Sequence, residues 1–292
     1  MEIQMLRLIA LVSFLSATPV FAQDFKVGTL NTESASDTQP FIVSRTIRNI
    51  GKVDIWALQE VAGLTAVEEY TVAAGAVGRR SSYRAIVSES GTITQQHRRD
   101  DQLAIVYNSS RFRQVENVEL HGIRSKPGAV GGRLGEPDWN LRGALFIRLQ
   151  DKDTGVEFYV GNVHLKCCGE GKDTRAHQAE IIKSWIERSD VQVILTGDFN
   201  IPVEPSSADG NQGSDAFKTL ESVVKWERPQ NPIKTQCSDD FNSMLDLFFL
   251  KGGPNIDTID VTIHETDSAF CDAEMVGGPD HRPVVANFSI QP

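Results

Sequence analysis

The chain has 292 residues, of which 40% are hydrophobic and 23% are charged, which is typical of a globular protein and excludes a disordered one. Its net charge of −10 argues against capture of nucleic acid by a basic surface, because phosphate binding draws on clustered Lys and Arg. A polyanionic substrate is still compatible with the composition, since bound cations can invert the charge of an acidic site.

The N-terminus has the pattern of a secretory signal. Arg7 precedes an apolar stretch from Leu8 to Leu15, and a small-residue, cleavage-like site ends at Ala22. The alternative is a buried N-terminal helix. We expect cleavage near Ala22, removal of residues 1–22, and one domain over residues 23–292 that is secreted or periplasmic. No later segment approaches the ~20 apolar residues of a membrane span, so we expect no stable membrane insertion.

Apolar periodicity then predicts helices and strands along the rest of the chain. One helix is predicted over Pro40–Ile50, with Gly51 as its stop, and another over residues 173–188. Residues 122–140 and 201–215 are predicted loops. The predicted strands cover residues 25–30, 53–58, 83–87, 103–107, 144–149, 157–163, 191–196, 244–250, 259–264 and 283–290.

Four short polar motifs stand at the ends of apolar runs. Because strands deliver side chains to a common edge, these motifs would bring together carboxylates, histidines and amides. Such a set supplies hard oxygen ligands for a divalent cation, imidazoles for proton transfer and donors for a phosphate. The pattern therefore indicates metal-assisted attack on a phosphate ester. The motifs are Trp56-Ala57-Leu58-Gln59-Glu60, Gly161-Asn162-Val163-His164, Gly197-Asp198-Phe199-Asn200 and Gly278-Pro279-Asp280-His281-Arg282-Pro283.

Each candidate residue also has a simpler interpretation. Glu60 follows an apolar strand and is favoured as a Mg²⁺ or Ca²⁺ ligand, although carboxylates at strand exits are common on protein surfaces. Asp198 and Asn200 also fit an ordinary Asx turn. A single histidine is more often structural than catalytic, but His164 and His281 both lie in the motifs.

The four cysteines belong to a chain that we expect in an oxidising compartment, where pairing is the default. Adjacent cysteines are poorly placed to bond each other. We therefore expect Cys167 and Cys168 to pair with Cys237 and Cys271. A zinc site is the alternative, but no C-x-x-C motif or nearby His pair gives its ligand spacing.

In their order and spacing, the four motifs resemble the endonuclease/exonuclease/phosphatase superfamily, whose type member is deoxyribonuclease I. The resemblance covers essentially all of residues 23–292. It implies an α/β (α+β) fold, a four-layer sandwich of two packed, mainly antiparallel sheets flanked by helices, with the site at one end. Periodicity alone indicates only an α/β or α+β class.

A finer similarity favours the nuclease branch. Residues 83–89 and 101–107 are similar in pattern to the deoxyribonuclease I segment that approaches the DNA minor groove. There are departures: Asp101 stands where the family usually has Glu, no aromatic residue precedes Asn31, and residues 279–281 read Pro-Asp-His where the family has Ser-Asp-His.

The resemblance also implies roles for individual residues. Glu60, with Asp280 and Asn31, would bind the metal, which we expect to be Mg²⁺ or in its place Mn²⁺ or Ca²⁺. Asn31 would also lie on the substrate side, beside Arg142 and Asn200. Arg142 matches a phosphate-contacting arginine, and an exposed, solvated arginine is its alternative.

The resemblance implies a catalytic group as well. His164 would be oriented by Asp101 and His281 by Asp246, each carboxylate fixing the tautomer and favouring the imidazolium form. Asp198 would be a second metal-side or water-orienting carboxylate. One histidine would assist water activation and the other protonation of the leaving group; the sequence leaves open which.

Three functions follow as hypotheses. The first is an exported, Mg²⁺-dependent endonuclease, a monomer whose substrate is nucleic acid, with DNA ahead of RNA. The second is a phospholipid, sphingomyelin or inositol-phosphate phosphodiesterase on the same fold. Membrane-active members of that kind present an exposed aromatic hairpin, whereas Trp139 stands alone in the long loops here. The third is an inactive binding or toxin subunit, against which the intact motif set argues.

Overall fold

The structure, a computed structural model, describes residues 22–33, 39–77, 82–93, 99–121, 141–237, 242–265 and 278–292. The predicted signal peptide, apart from Ala22, lies outside these ranges, as do Cys271 and the predicted loop at residues 122–140 that contains Trp139. Within the described ranges, two six-stranded sheets pack face to face.

The first sheet has the order β13-β14-β1-β2-β6-β3, and only the neighbours β1 and β2 are parallel. The polar residues Asn31 and Gln59 are paired at the carboxyl ends of these two strands. The strands are β1 (Gln23–Asn31), β2 (Ile55–Val61), β3 (Tyr83–Val87), β6 (Gln102–Asn108), β13 (Ile256–Ile263) and β14 (Val284–Ile290).

The second sheet has the order β11-β12-β10-β9-β8-β7, and again one pair, β9 with β10, is parallel. In that pair His164 lies opposite Asp198. The strands are β7 (Phe112–Glu119), β8 (Leu145–Asp151), β9 (Glu157–His164), β10 (Gln192–Val203), β11 (Lys225–Trp226) and β12 (Met244–Leu250). A separate two-stranded ribbon joins β4 (Thr92–Ile93) to β5 (Arg99–Asp100).

Helices cover the outer faces of both sheets. The helices α1 (Pro40–Ile50) and α2 (Gly63–Gly75) pack on the first sheet in a cluster that includes Trp56 and Tyr70. The helices α3 (Lys172–Ile186) and α4 (Asp215–Glu221) pack on the second, where Trp185 of α3 stacks on Phe146 at 4.0 Å between ring centroids. The predicted four-layer sandwich is thereby confirmed.

The core between the sheets is centred on aromatic rings. Phe25 of β1 has ring centroids 5.2 Å from Phe158, 5.5 Å from Phe288 and 5.7 Å from Phe112. Rings at these separations add attraction beyond the area that they bury. These contacts join β1 and β14 of one sheet to β7 and β9 of the other.

A buried polar bridge crosses the same interface near the motif end. Gln59 of β2 donates from Nε2 to Oδ1 of Asn162 in β9 at 2.7 Å. Asn162 in turn donates to the backbone oxygens of Leu58 and Ala104 at 2.8 and 3.0 Å. Both side chains are fully buried. Since an unpaired buried amide is costly, this bridge fixes the register of one sheet over the other.

Most predicted elements are confirmed to within a few residues, but β10 continues to Val203, beyond its predicted end at 196 and into the predicted loop 201–215. Two helices and several strands were missed. The helix α2 and the short α4 were not predicted, nor were β7, β11 and the ribbon. No helix in the described part of the chain is long and apolar enough to cross a membrane.

Phe25→Ala should destabilise the protein by about 3–5 kcal/mol, because it opens a cavity among aromatic rings of both sheets. Phe41→Ala is the matched control: Phe41 is 55% exposed whereas Phe25 is 1% exposed, so its loss should cost no more than about 0.5 kcal/mol. Urea unfolding followed by circular dichroism measures both. Equal effects would contradict the placement of Phe25 at the centre of the sandwich.

Candidate active site

The two parallel strand pairs end on the same side of the sandwich. Asn31 ends β1 and Glu60 lies near the end of β2, while His164 ends β9 opposite Asp198 of β10. Carboxyl ends of parallel neighbours meet at one sheet edge, so each sheet delivers two polar side chains there.

Asn31 joins these two sets. Its Nδ2 atom donates to Oε1 of Glu60 at 3.0 Å and to Oδ2 of Asp198 at 3.1 Å. Its Oδ1 atom accepts from the backbone N of Glu33 at 3.0 Å. A single buried amide therefore holds one carboxylate from each sheet and uses the full donor capacity of its nitrogen.

His281 is paired with a buried carboxylate. Its Nδ1 lies 2.8 Å from Oδ2 of Asp246, and its Nε2 lies 3.9 Å from Oδ2 of Asp198. Burial alone would lower the pKa of His281, but the negative charges of Asp246, Asp198 and Asp280 outweigh it and raise the pKa to about 10. His281 is therefore an imidazolium at neutral pH.

The backbone fixes this histidine from a neighbouring segment. Gln236 forms a β-bridge with His281, and Cys237 donates from its backbone N to the oxygen of Asp280 at 2.6 Å. The hydroxyl of Thr235 accepts from the backbone N of Asp246 at 3.3 Å. Residues 235–237 thus tie the loop of His281 to the strand of Asp246.

His164 is held in a different state from the one expected. Nη2 of Arg142 lies 2.9 Å from Nδ1 of His164, and because a guanidinium can only donate, Nδ1 accepts and Nε2 carries the proton. Burial and the positive charge of Arg142 lower the pKa of His164 well below its ordinary value. Nε2 lies 3.6 Å from both Oε1 of Glu60 and Oδ2 of Asp198.

The surroundings of Asp101 also differ from the expectation, because Arg142 lies beside it. Its Oδ2 lies 3.9 Å from Nη1 of Arg142, so the arginine stands beside both Asp101 and His164. The expected imidazolium form of His164 is therefore wrong for this arrangement, because a fixed positive charge offsets the carboxylate. Arg142 is partly buried, unlike the exposed, solvated alternative.

Asn200 lies two residues after Asp198, in the irregular part of β10. Its backbone N donates to Oδ1 of Asp198 at 2.9 Å, and its Nδ2 donates to the backbone oxygen of Leu165 at 3.0 Å. The local Asx interaction is thus present, and the phosphate contact stays a prediction. Gly197 brings β10 unusually close to β9: at φ +136°, a Cβ atom there would lie 2.1 Å from the oxygen of Val163.

The site concentrates negative charge. Burial first, and then the charge of Asp246, raise the pKa of Asp198 to about 7. Burial, together with the charges of Asp280 and Glu60, likewise raises the pKa of Glu33 to about 7, and burial raises the pKa of Glu60. Such carboxylates favour any added positive charge.

The donor chemistry fits a hard divalent cation. The carboxylates of Glu60, Asp280 and Glu33 supply the oxygen atoms that Mg²⁺, Mn²⁺ and Ca²⁺ prefer. Among the described residues, however, no group of three or more His, Cys, Asp or Glu side chains is already arranged as a metal site. The Oδ1 atom of Asn31 accepts from the backbone N of Glu33, and the metal-ligand role of Asn31 stays a prediction.

Sequence reasoning missed Glu33, Thr235 and Arg175. Glu33 receives a hydrogen bond from the backbone of Asp280, which lies far away along the chain. Arg175 of α3 donates from Nη1 to the backbone oxygens of Lys166 and Cys168, and so holds the loop that follows His164. All three act through long-range or backbone contacts, for which the sequence carries no local signal.

The predicted cysteine pairing is wrong for the adjacent pair. Cys167 and Cys168 are both free, so neither bonds Cys237 or Cys271. Their sulfur atoms contact each other in the loop after β9.

No protein-family model matches the chain, and no curated protein matches it. Solved structures do match over nearly its whole length. An endonuclease/exonuclease/phosphatase family protein from Bacteroides thetaiotaomicron aligns with a TM-score of 0.65 at 18% identity, covering 94% of this chain and 100% of that one. A mannosyl-6-phosphatase from the same species gives 0.61 at 20%, covering 90% and 99%.

The D. rerio TDP2, complexed with a single strand DNA product, gives a TM-score of 0.63 at 14% identity, covering 91% of this chain and 98% of that one. Identities at this level establish the fold. The chain has the endonuclease/exonuclease/phosphatase fold, which confirms the architecture that the four motifs predicted.

Asp246→Asn should lower the pKa of His281 by more than one unit, because it removes the charge that contributes most to raising it. Because the pKa of His281 is raised in the folded protein, protonated His281 stabilises the fold. This stabilisation is fully present below the unfolded pKa of about 6.5 and is lost as the pH rises through about 10. NMR titration of the His281 ring in both proteins measures the shift. An unchanged pKa would contradict the assigned ion pair.

Proposed function

We propose that the protein is an exported, divalent-metal-dependent phosphodiesterase that hydrolyses nucleic acid, with DNA as its main substrate. The observation that carries the proposal is the surroundings of Asp198. Its Oδ2 accepts from Asn31 and lies within 4 Å of both His164 and His281. A base, an acid and a hydrogen-bond donor therefore face one small volume.

His281 supplies the acid in this proposal. Its raised pKa keeps a proton on Nε2 at neutral pH, while Asp246 holds the ring through Nδ1. A proton donor of this kind can protonate the leaving oxygen of a phosphodiester, and its positive charge also stabilises negative charge on the phosphoryl group.

His164 acts as a neutral donor. Since Arg142 occupies Nδ1, the proton on Nε2 is free to point toward Glu60, Asp198 or a phosphoryl oxygen. Its lowered pKa prevents it from holding a second proton at neutral pH. We therefore assign it to orienting the phosphoryl group, and not to protonating the leaving group.

Asp198 is the candidate base. Its pKa of about 7 lets the carboxylate accept a proton from an attacking water near neutral pH, where a catalytic base is most effective. The hydrogen bonds from Asn31 and Asn200 fix its two oxygens. In this proposal Asp198 activates the water and His281 protonates the leaving group, which assigns the roles that the sequence left open.

A divalent cation held by Glu60 and Asp280, with Glu33 beside them, would neutralise charge developing on the phosphoryl oxygens. The same carboxylates would otherwise repel a phosphodiester. This charge balance supports metal dependence. Burial first, and then the charges of Asp280 and Glu60, raise the pKa of Glu33 to about 7, so a cation beside it would be favourable.

Nucleic acid is favoured as the substrate by the edge of the first sheet. The edge strand β3 pairs with β6, and Arg84 of β3 is exposed there. These strands carry the segment that resembles the groove-approaching part of deoxyribonuclease I. A structural neighbour of the same fold was solved with a single strand DNA product. Export rests on the signal pattern at residues 1–22.

A substrate panel tests the proposal. The purified protein should hydrolyse plasmid DNA, and RNA more slowly, with Mg²⁺ or Mn²⁺, and chelator should abolish the activity because the phosphate then meets uncompensated carboxylates. Sphingomyelin, a sugar phosphate and a chromogenic phosphodiester complete the panel. Hydrolysis of sphingomyelin or of the sugar phosphate, without hydrolysis of DNA or RNA, would show that nucleic acid is not the substrate. Full activity in chelator would exclude metal dependence.

His281→Gln and His164→Gln should each reduce turnover by at least ~10²-fold, because general acid–base and positioning contributions of this size are typical. Glutamine keeps a side-chain donor for Asp246, which limits the destabilisation that an unpaired buried carboxylate would cause. The matched control is His177→Gln on the exposed side of α3, which should retain full activity. Initial rates and thermal unfolding are measured together. Retained turnover in a folded variant would remove that histidine from the reaction.

A further inference from the structure

Two free cysteines stand side by side in the loop between β9 and α3. The Sγ atoms of Cys167 and Cys168 are 2.7 Å apart, about 0.6 Å more than the ~2.05 Å of bonded sulfurs. Cys168 is exposed and Cys167 is partly exposed, so small molecules reach both thiols. The proposed phosphodiester hydrolysis uses neither of them.

The backbone at Cys168 is held in a conformation that favours glycine. Its φ of 71° and ψ of 169° fall in a region that residues with a side chain rarely occupy. The residue in this conformation is Cys168 and not the glycine that follows it, Gly169. Strained backbone persists only where the surroundings determine it, and here it turns the Cys168 side chain onto that of Cys167.

The helix α3 supplies those surroundings. Arg175, which is 8% exposed, donates from Nη1 to the oxygen of Lys166 at 2.8 Å and to the oxygen of Cys168 at 2.7 Å. Gln178 accepts from the backbone N of Lys166 at 2.9 Å. The peptide segment on either side of the two cysteines is therefore clamped, and the sulfurs are brought together before any reaction.

We propose that Cys167 and Cys168 form a redox modification site that closes to a vicinal disulfide by exchange with a small-molecule disulfide such as oxidised glutathione. The thiolate of the exposed Cys168 attacks one sulfur of that disulfide, which releases one thiol and leaves a mixed disulfide on the protein. The Cys167 thiolate then attacks the Cys168 sulfur and releases the second thiol. The protein dithiol is oxidised by two electrons, and the small disulfide is reduced to two thiols.

The bond formed at this site is reversible. Adjacent Cα atoms across a trans peptide are about 3.8 Å apart, whereas disulfides normally join Cα atoms about 4.4–6.8 Å apart. The closed ring therefore stores strain, and strained, exposed disulfides are the readily reduced ones. The site differs in this from a permanent structural cross-link.

The test is differential mass spectrometry on the full folded chain. The reduced protein is incubated with oxidised glutathione, and the peptide that contains Cys167 and Cys168 should lose two hydrogens, carry no glutathione and return to the dithiol with dithiothreitol. Ring closure should be at least ~10-fold faster in the folded protein than in urea, since the fold aligns the sulfurs in advance. Cys167→Ser and Cys168→Ser should instead keep one glutathione, because the second thiol is missing.

Arg175→Gln should slow ring closure without abolishing it, and Lys183→Gln on the same helix is the matched control, because the Lys183 side chain pairs with Glu187 away from the loop. If Arg175→Gln does not fold, the comparison of folded and urea-denatured wild-type protein decides alone. Two glutathiones on the wild-type peptide, unreacted thiols, a disulfide between two copies, or equal rates in urea would each overturn the proposal.

Discussion

The amide of Asn31 is the contact on which the site depends. It is the point where a strand of the first sheet reaches a carboxylate of the second, by donating to Glu60 and Asp198 together. Behind it, in the buried interior, the amides of Gln59 and Asn162 also form a hydrogen bond between the two sheets. Packing of apolar faces alone would allow the sheets to slide, whereas paired buried amides permit one alignment, since any other leaves polar atoms without partners.

This alignment brings charges together at a cost in free energy that the scaffold has to carry. Asp198 and Asp246 are both buried, and each would be unfavourable without neighbouring donors. The imidazolium of His281 lies between them and compensates part of that cost. The two histidines consequently have opposite protonation states, although the sequence presents them in similar motifs. The guanidinium of Arg142 beside His164 and the carboxylate of Asp246 beside His281 produce that difference.

The sequence predicted the fold well where each element has a simple local pattern. The strand Met244–Leu250 is apolar apart from Asp246, and the helix Pro40–Ile50 has a proline start and a glycine stop, so both were located correctly. The strand Phe112–Glu119 was missed because its exposed edge position leaves it rich in charged residues. The helix Gly63–Gly75 begins without a side-chain cap, which removed the usual start signal.

The site followed the same division. The sequence placed Asn31, Glu60 and His164 at or near the ends of their strands, because those positions depend on local alternation. The state of His164 was not, since it depends on Arg142, which reaches it from another part of the chain. The contact between Cys167 and Cys168 was also missed, because it requires a backbone conformation that composition does not reveal.

The close approach at Gly197 has a consequence for how this protein can change. Any side chain at Gly197 would collide with the backbone of Val163. Relieving the collision would separate β9 from β10 and so move His164 away from Asp198. New substrate preferences would therefore have to arise in the loops, while the strand ends that carry His164 and Asp198 stay as they are. Laboratory evolution of this protein would meet the same limit: loop residues could be substituted, whereas Gly197 could not.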